Sequence, residues 1–305
     1  MSQLIIRKFS LLSFTIVWSI GLLMTTHSQA ASEMPQRHIP SPMVGVTIDS
    51  IASLPFIVQS LESLSQKPTA RIVFDEDVPA WQYIKAVDRI HDVSYVMGEL
   101  LDSFYVKDYS VAEYLDRTKS YLDTLGSKVD IWEIGNEING HWLGDTPSVI
   151  AKMTGSYDMV SERGGKTALT LYYDHNEEFH NRTGDTVLAW ARTNVPERMK
   201  QGLDYVFISY YDDSHTGGVK ADLPEVFKRL AVIFPNSKIG FGEVGTDVKK
   251  QKTAFIDRYY NMKIAQENFV GGYFWWYFKQ DMVPRSKPLW KTLNNAITPK
   301  QVSGL

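Results

Sequence analysis

The feature that most restricts the fold of this chain is a regular alternation of apolar runs and amphipathic stretches from residue 43 onward. Eight apolar runs predict β-strands at 43–49, 70–75, 93–100, 129–137, 168–173, 205–211, 238–244 and 270–278. Eight stretches with helical spacing predict α-helices at 51–65, 80–91, 111–125, 148–163, 186–201, 223–234, 253–266 and 289–296. Strands that alternate with helices of this length form right-handed βαβ units and a parallel sheet.

The predicted strands are continuously hydrophobic, which fits strands covered on both faces. Eight βα units in roughly 260 residues match the size of a closed (β/α)8 barrel. We therefore predict the α/β class, with a single-domain TIM barrel over 43–300. A doubly wound open sheet is the alternative, but the first strand region, Gly45-Val46-Thr47-Ile48-Asp49, lacks the GxGxxG phosphate loop of dinucleotide-binding sheets.

Residues 1–30 have the layout of a secretory signal peptide, with Arg7 and Lys8 before an apolar stretch at 9–24 and small residues up to Ala30. We expect cleavage after Ala30, which leaves 31–42 as an N-terminal extension. The alternative is an uncleaved membrane anchor, although the apolar stretch is shorter than the roughly 20 residues that span a bilayer. The expected location is the bacterial periplasm or the extracellular medium.

Composition narrows the function. The net charge of −3 at pH 7 argues against nucleic-acid binding, which needs a basic surface. The chain has no cysteine, so it has neither a thiol nucleophile nor a Cys-ligated metal. No segment after the signal is long and apolar enough for stable membrane insertion. The oligomeric state cannot be derived from the sequence.

Two glutamates are placed where a barrel carries its chemistry. Glu137 ends the fourth predicted strand and Glu243 lies at the end of the seventh. Catalytic groups of such barrels stand at the C-terminal strand ends, and a carboxylate in a buried run costs free energy unless it is paired. Strands four and seven lie nearly opposite in the ring. Their side chains could approach to about 5–5.5 Å, the separation of the carboxylates in retaining glycosidases.

The motif Asn136-Glu137 on strand four, with Gly242-Glu243-Val244-Gly245 on strand seven, resembles clan A of the glycoside hydrolases. The resemblance implies that Glu137 is the acid/base and Glu243 the nucleophile. It also implies that Asn136 donates a hydrogen bond to the sugar 2-hydroxyl. The member family is not assigned.

Further residues follow from the same resemblance. A tyrosine at the end of strand six usually bonds the nucleophile, which implies Tyr210 or Tyr211, and we favour Tyr211. Arg71 resembles a strand-two arginine that steadies the nucleophile, although a core ion pair is nearly as good an interpretation. Trp276 resembles the strand-eight tryptophan that forms the floor of the sugar subsite. Unlike many members, this chain has Ser209 where strand six often carries histidine.

Other residues keep two interpretations. Glu133 is expected to face into the barrel and to neutralise Arg71 or a lysine. Trp81, Trp132 and Trp142 are either core residues or outlying sugar platforms. The stretch 174–180 contains two histidines and three carboxylates. It could ligate a cation, but a solvated loop is the better interpretation, so no metal site is predicted.

The sequence thus predicts an exported retaining O-glycoside hydrolase that cleaves a β-linked polysaccharide or oligosaccharide by double displacement. Two carboxylates suffice for this chemistry, so no cofactor is expected. The altered strand-six position and the lack of a histidine at the end of strand three motivate one alternative, a catalytically silent glycan-binding barrel of an envelope or matrix assembly. A metal-dependent barrel hydrolase is disfavoured because Thr47-Ile48-Asp49 lacks the His-x-His that such enzymes carry on strand one.

Overall fold

The computed structural model describes residues 34–174, 185–211 and 220–299. Within them, eight parallel strands close into a barrel in sequence order. The strands are β1 (Met43–Ile48), β2 (Thr69–Val73), β3 (Tyr95–Glu99), β4 (Ile131–Gly135), β5 (Thr167–Tyr172), β6 (Tyr205–Tyr210), β7 (Lys238–Val244) and β8 (Gly271–Trp275). The chain therefore folds as the predicted (β/α)8 TIM barrel, and the open-sheet alternative is wrong.

Helices follow the strands around the outside of the barrel. The α-helices of the described segments are α1 (Leu54–Glu62), α2 (Ile84–Val93), α3 (Val111–Leu125), α4 (Thr146–Glu162), α5 (Asp185–Asn194), α6 (Glu197–Gly202), α7 (Leu223–Ile233), α8 (Lys252–Tyr260), α9 (Phe278–Met282) and α10 (Pro288–Ile297). None of these helices combines the length and the apolar composition needed to span a membrane.

Several predicted elements have other bounds in the structure, as three examples show. The predicted helix 186–201 is two helices, because Pro196 interrupts the backbone hydrogen bonds between α5 and α6. The predicted helix 253–266 ends at Tyr260. The predicted strand 270–278 ends at Trp275, and Phe278, the last residue of the predicted range, begins the short helix α9.

The N-terminal end of the barrel is closed by an apolar layer. Its buried members are Ile39, Met43, Met97, Ile131, Ala168, Tyr205, Phe207, Val270 and Phe274. The preceding segment is fastened beside this layer by Arg37, whose Nε donates to Asp130 Oδ1 at 2.6 Å. The described part of the N-terminal extension is therefore packed against the barrel rather than separate from it.

Above the apolar layer, the barrel interior carries the polar side chain of Glu243, which an irregularity between β6 and β7 turns inward. The register shifts there, so that Ile208 pairs with Phe241 while Ser209 pairs with Glu243. The intervening Gly242 faces the interior, where a Cβ atom would lie 2.8 Å from Thr170 Cγ2 and 2.9 Å from Phe207 Cβ. The bulge lets the next residue, Glu243, also face the interior, and the missing side chain leaves space below it.

Candidate active site

Glu137 stands in the turn that follows β4. Its backbone has φ 46°, in the left-handed region that residues other than glycine seldom occupy and that is found repeatedly at functional sites. The turn is held by the Gly140 amide, which donates to the Glu137 carbonyl at 2.8 Å. The partly exposed side chain accepts a hydrogen bond from Ser103 Oγ, with Oε2 at 3.3 Å.

Glu243 is surrounded by donors at the end of β7. Its side chain is only 6% exposed, and its Oε1 lies 2.8 Å from Arg71 Nη1. The same oxygen accepts from Asn136 Nδ2 at 3.0 Å, while Oε2 accepts from the Tyr211 hydroxyl at 2.5 Å. Three residues that the sequence predicted as site residues therefore meet on one carboxylate.

Asn136 connects the two glutamates. Its Nδ2 donates to Glu243, and its Oδ1 accepts from the Ser103 amide at 3.1 Å. Because the Ser103 hydroxyl donates to Glu137, one short path of hydrogen bonds runs from Glu137 through Ser103 and Asn136 to Glu243. The two predicted catalytic carboxylates therefore belong to one cluster at the barrel mouth.

Arg71 is the central cation beneath this cluster. Its fully buried guanidinium donates to Glu133 through Nε at 2.6 Å and Nη2 at 3.1 Å. Nη2 also lies 3.0 Å from Glu99 Oε2. Arg71 is therefore a core ion-pair residue that also contacts Glu243, while its role of steadying a nucleophile stays a prediction. The predicted pairing of Glu133 with Arg71 is confirmed.

One arginine among three glutamates leaves an excess of buried negative charge. Burial lowers the pKa of Arg71, but Glu133, Glu99 and Glu243 outweigh it and leave that pKa well above its usual value. Burial raises the pKa of Glu99 well above the ordinary range, against the lowering effect of Arg71. Neither oxygen of Glu99 accepts a hydrogen bond of acceptable geometry from the described residues. Glu99 therefore favours its neutral form.

Glu137 and Glu243 differ in their surroundings. Burial, and then the negative charge of Glu243, raise the pKa of Glu137 well above its ordinary value and outweigh the lowering effects of the Ser209 hydroxyl and Arg71. Burial also raises the pKa of Glu243, but Arg71 and the Tyr211 hydroxyl act to lower it. Donors stabilise the charged form of a carboxylate. Glu243 is therefore the better candidate for the ionised group, and Glu137 for the group that keeps its proton.

The two predicted tyrosines occupy opposite sides of the sheet. Burial raises the pKa of Tyr211 well above its usual value, so the phenol keeps the proton that it donates to Glu243. Tyr210 is only 1% exposed and packs against Tyr173 and Tyr259 in the layer between the sheet and the helices. Its hydroxyl accepts from the Ala221 amide at 3.0 Å. Tyr210 is therefore not a cleft residue, which corrects that part of the sequence prediction.

The two adjacent tryptophans at the end of β8 differ in their surroundings. Trp276 is partly exposed, and its ring centroid lies 5.7 Å from Arg71 Cζ. Trp275 is fully buried and donates through Nε1 to Asp281 Oδ2 at 3.0 Å. Trp276 is thus the one beside the cluster, as predicted, while its role as the floor of a sugar subsite stays a prediction.

Residues of two connecting loops complete the site. Ser103 was not predicted as part of it, and Trp142 was predicted as either a core residue or an outlying sugar platform. Ser103 begins a 3-10 turn, Ser103–Asp108, between β3 and α3. Trp142 lies in the 3-10 turn His141–Leu143 between β4 and α4, and its Nε1 donates to Ser103 Oγ at 3.1 Å. Neither turn has a periodic pattern, so only tertiary structure reveals the contact.

The alternative metal site can be compared with the structure only in part. Most of the stretch 174–180 lies outside the described residues. In the three described ranges, no group of three or more His, Asp or Glu side chains is arranged to hold a metal ion.

Comparisons with known proteins identify structures of similar fold but no sequence family. No protein-family model and no curated protein matches the chain. Gas2p of Saccharomyces cerevisiae in complex with laminaripentaose matches with a TM-score of 0.56 and 14% identity, over 91% of this chain and 68% of that one. Its complex with laminaritriose and laminaritetraose gives a TM-score of 0.52 and 15% identity, over 91% of this chain and 67% of that one.

A further structure, of ScGas2 in complex with compound 8, matches with a TM-score of 0.53 and 15% identity. It covers 86% of this chain, which spans just 65% of the length of that chain. At these identities the likeness establishes a common barrel fold and nothing finer.

Proposed function

We propose that the protein is a retaining O-glycoside hydrolase that acts on a β-linked polysaccharide or oligosaccharide. The observation that carries the proposal is the asymmetry between two carboxylates at one barrel mouth. Glu243 faces a guanidinium, an amide and a phenol, whereas the groups that act as donors to Glu137 in the described part of the chain are two hydroxyls, that of Ser103 at 3.3 Å and that of Ser209. A glycosidase needs such a pair, one carboxyl group ionised and the other protonated.

In the proposed reaction, Glu243 attacks the anomeric carbon while the bond to the leaving oxygen breaks. Glu137 transfers its proton to that oxygen, and the product is a covalent glycosyl–Glu243 ester. Glu137, now ionised, removes a proton from water as the water attacks the same carbon, which restores both carboxyl groups. Asn136 Nδ2 lies 3.0 Å from Glu243 Oε1, and its proposed role is to donate a hydrogen bond to the sugar 2-hydroxyl.

The substrate class is proposed from the cleft and from the structural neighbours. Acidic side chains follow the strands at Asp49, Asp75 and Asp102, which suits a neutral sugar better than an anionic one. The Gas2p structures contain laminari-oligosaccharides, which are β-1,3-linked glucose oligomers. We therefore propose oligosaccharides of this type as the first substrates to test. We also propose that the protein is exported, as the signal-peptide layout of residues 1–30 suggests.

The test is a panel of β-linked oligosaccharides and aryl β-glycosides, with the first-formed anomer followed by NMR. A retaining hydrolase releases the β-anomer first. Glu137→Ala and Glu243→Ala should each abolish turnover of oligosaccharides, whereas the exposed Glu162 on α4 should tolerate Glu162→Gln. Release of the α-anomer first would contradict double displacement. Glycan binding without new reducing ends would favour the silent glycan-binding barrel.

A further inference from the structure

Trp142 and Ser103 form a relay that ends on Glu137. The indole Nε1 donates to Ser103 Oγ at 3.1 Å, and Ser103 Oγ donates to Glu137 Oε2 at 3.3 Å. An indole nitrogen can only donate, and a serine hydroxyl has one hydrogen. The indole therefore occupies an acceptor position of Ser103, and the hydroxyl hydrogen is directed at Glu137.

The backbone of Ser103 is fixed independently of this relay. Its amide donates to Asn136 Oδ1 at 3.1 Å, and Asp102 accepts from the next amide, that of Phe104, at 2.8 Å. The side chain is buried, with the whole residue 5% exposed. A buried hydroxyl held at both ends in this way can restrict the rotation of the carboxyl group that it contacts.

The ring of Trp142 reaches the cleft on the side of Glu137. It is partly exposed and packs edge-to-face against Tyr172 at the end of β5, with ring centroids 5.2 Å apart and an interplanar angle of 78°. The general acid of a glycosidase stands beside the leaving oxygen. A sugar attached to that oxygen must therefore pass Glu137 and come near the two aromatic rings.

Trp290 provides a comparison, because its indole makes a hydrogen bond with a purely structural role. Trp290 on α10 donates through Nε1 to the Ser60 carbonyl at 2.9 Å, a backbone contact that joins two outer helices. Trp142 instead directs its only donor at a side chain that contacts the candidate general acid. The polar edge and the apolar face of Trp142 thus both lie on the Glu137 side of the cleft.

We propose that Trp142 forms the sugar-binding surface on the leaving-group side of Glu137, and that through Ser103 it holds Glu137 in the orientation for proton transfer. This inference rests on the proposed glycosidase function. Ser103 is then a positioning residue, and Trp142 contacts the sugar that leaves. The ligand is the non-reacting part of a β-linked oligosaccharide.

The experiment compares Ser103→Ala, Trp142→Phe and Trp142→Ala, with Trp290→Phe as the matched control that loses an indole hydrogen bond elsewhere. Each variant is assayed on an oligosaccharide that the wild type cleaves and on a dinitrophenyl β-glycoside, whose leaving group needs little protonation. Ser103→Ala and Trp142→Phe should lower kcat on the oligosaccharide about tenfold, the effect of one lost hydrogen bond. They should change turnover of the dinitrophenyl glycoside less than about twofold.

Trp142→Ala should in addition weaken oligosaccharide binding about tenfold, measured by calorimetry in a Glu243→Gln background that prevents turnover. Equal losses on both substrates for Ser103→Ala would overturn the positioning role, and unchanged affinity in Trp142→Ala would overturn the sugar surface. These outcomes are separate from failure of the proposed function. In that case the wild type would cleave nothing, and the binding comparison would still decide the role of Trp142.

Discussion

Replacing Arg71 by methionine tests the electrostatic account of the site. Methionine is close to arginine in length but has no charge, so the variant keeps much of the packing and removes the only cation in contact with the cluster among the described residues. Three glutamate carboxyl groups within 2.6–3.0 Å of the guanidinium lose their partner. Removing one member of a buried ion pair costs about 3–5 kcal/mol, and we expect a loss of this size at pH 7.

The pH dependence of the loss has a definite sign. Without Arg71, the folded state favours protonated carboxyl groups, so it binds more protons than the unfolded chain above the ordinary glutamate pKa of about 4.3. Stability of the variant then falls as the pH rises through this value and continues to fall up to the raised pKa values of the folded state. The difference in the free energy of unfolding between wild type and Arg71→Met should therefore be small near pH 4 and should reach its full size near pH 7.

Urea unfolding at both pH values measures this difference, with equal m-values as the condition for comparing midpoints. Arg198→Met is the matched control, because Arg198 pairs with Asp158 at 2.6 Å while both side chains are nearly half exposed. Such a surface pair contributes about 1 kcal/mol or less. A loss below about 1 kcal/mol for Arg71→Met at pH 7, or a loss that is the same at pH 4, would refute the reasoning.

Three further predictions concern single side chains of the site. Glu99→Gln should keep catalytic activity, and a large loss of activity in this variant would contradict a neutral Glu99. Its free energy of unfolding relative to wild type should increase as the pH rises above about 4.3, because the raised pKa of Glu99 makes ionisation of the wild-type residue costly. Glu137→Gln should lose a factor of about 10²–10⁴ on oligosaccharides but little on dinitrophenyl glycosides, and equal losses would argue against a general acid. Tyr211→Phe should move the acidic limb of the kcat/KM profile to higher pH, because the phenol lowers the pKa of Glu243. Tyr210→Phe, which loses a hydroxyl outside the cleft, should leave that limb in place.

The barrel was predictable because its signal is local. Strands covered on both faces read as unbroken apolar runs, and eight of them separated by amphipathic helices admit few topologies. The ends of elements were less predictable, as at Pro196, where a single residue divides one predicted helix into α5 and α6. The positions of Glu137 and Glu243 followed from their place at strand ends.

The remaining parts of the site depend on tertiary geometry. Successive residues of an extended chain point to opposite faces, and only the contacts show that Tyr211, which follows β6, faces the cleft while Tyr210, the last residue of β6, faces the helices. The contact of Ser103 with Trp142 joins two loops that lack any periodic pattern. The sequence suggested Arg71 as a partner of Glu133 and of Glu243, but it gave no sign that Glu99 contacts the same guanidinium.

Azide rescue of the two glutamate variants tests the assignment of roles most directly. With an activated aryl β-glycoside that the wild type cleaves, azide replaces the missing carboxylate of Glu243→Ala and attacks the sugar from that face, so the product is the α-glycosyl azide. In Glu137→Ala, azide attacks the glycosyl–Glu243 intermediate, and the product is the β-glycosyl azide. Opposite anomers from the two variants are the predicted result. The same anomer from both, or the two anomers interchanged, would contradict the account.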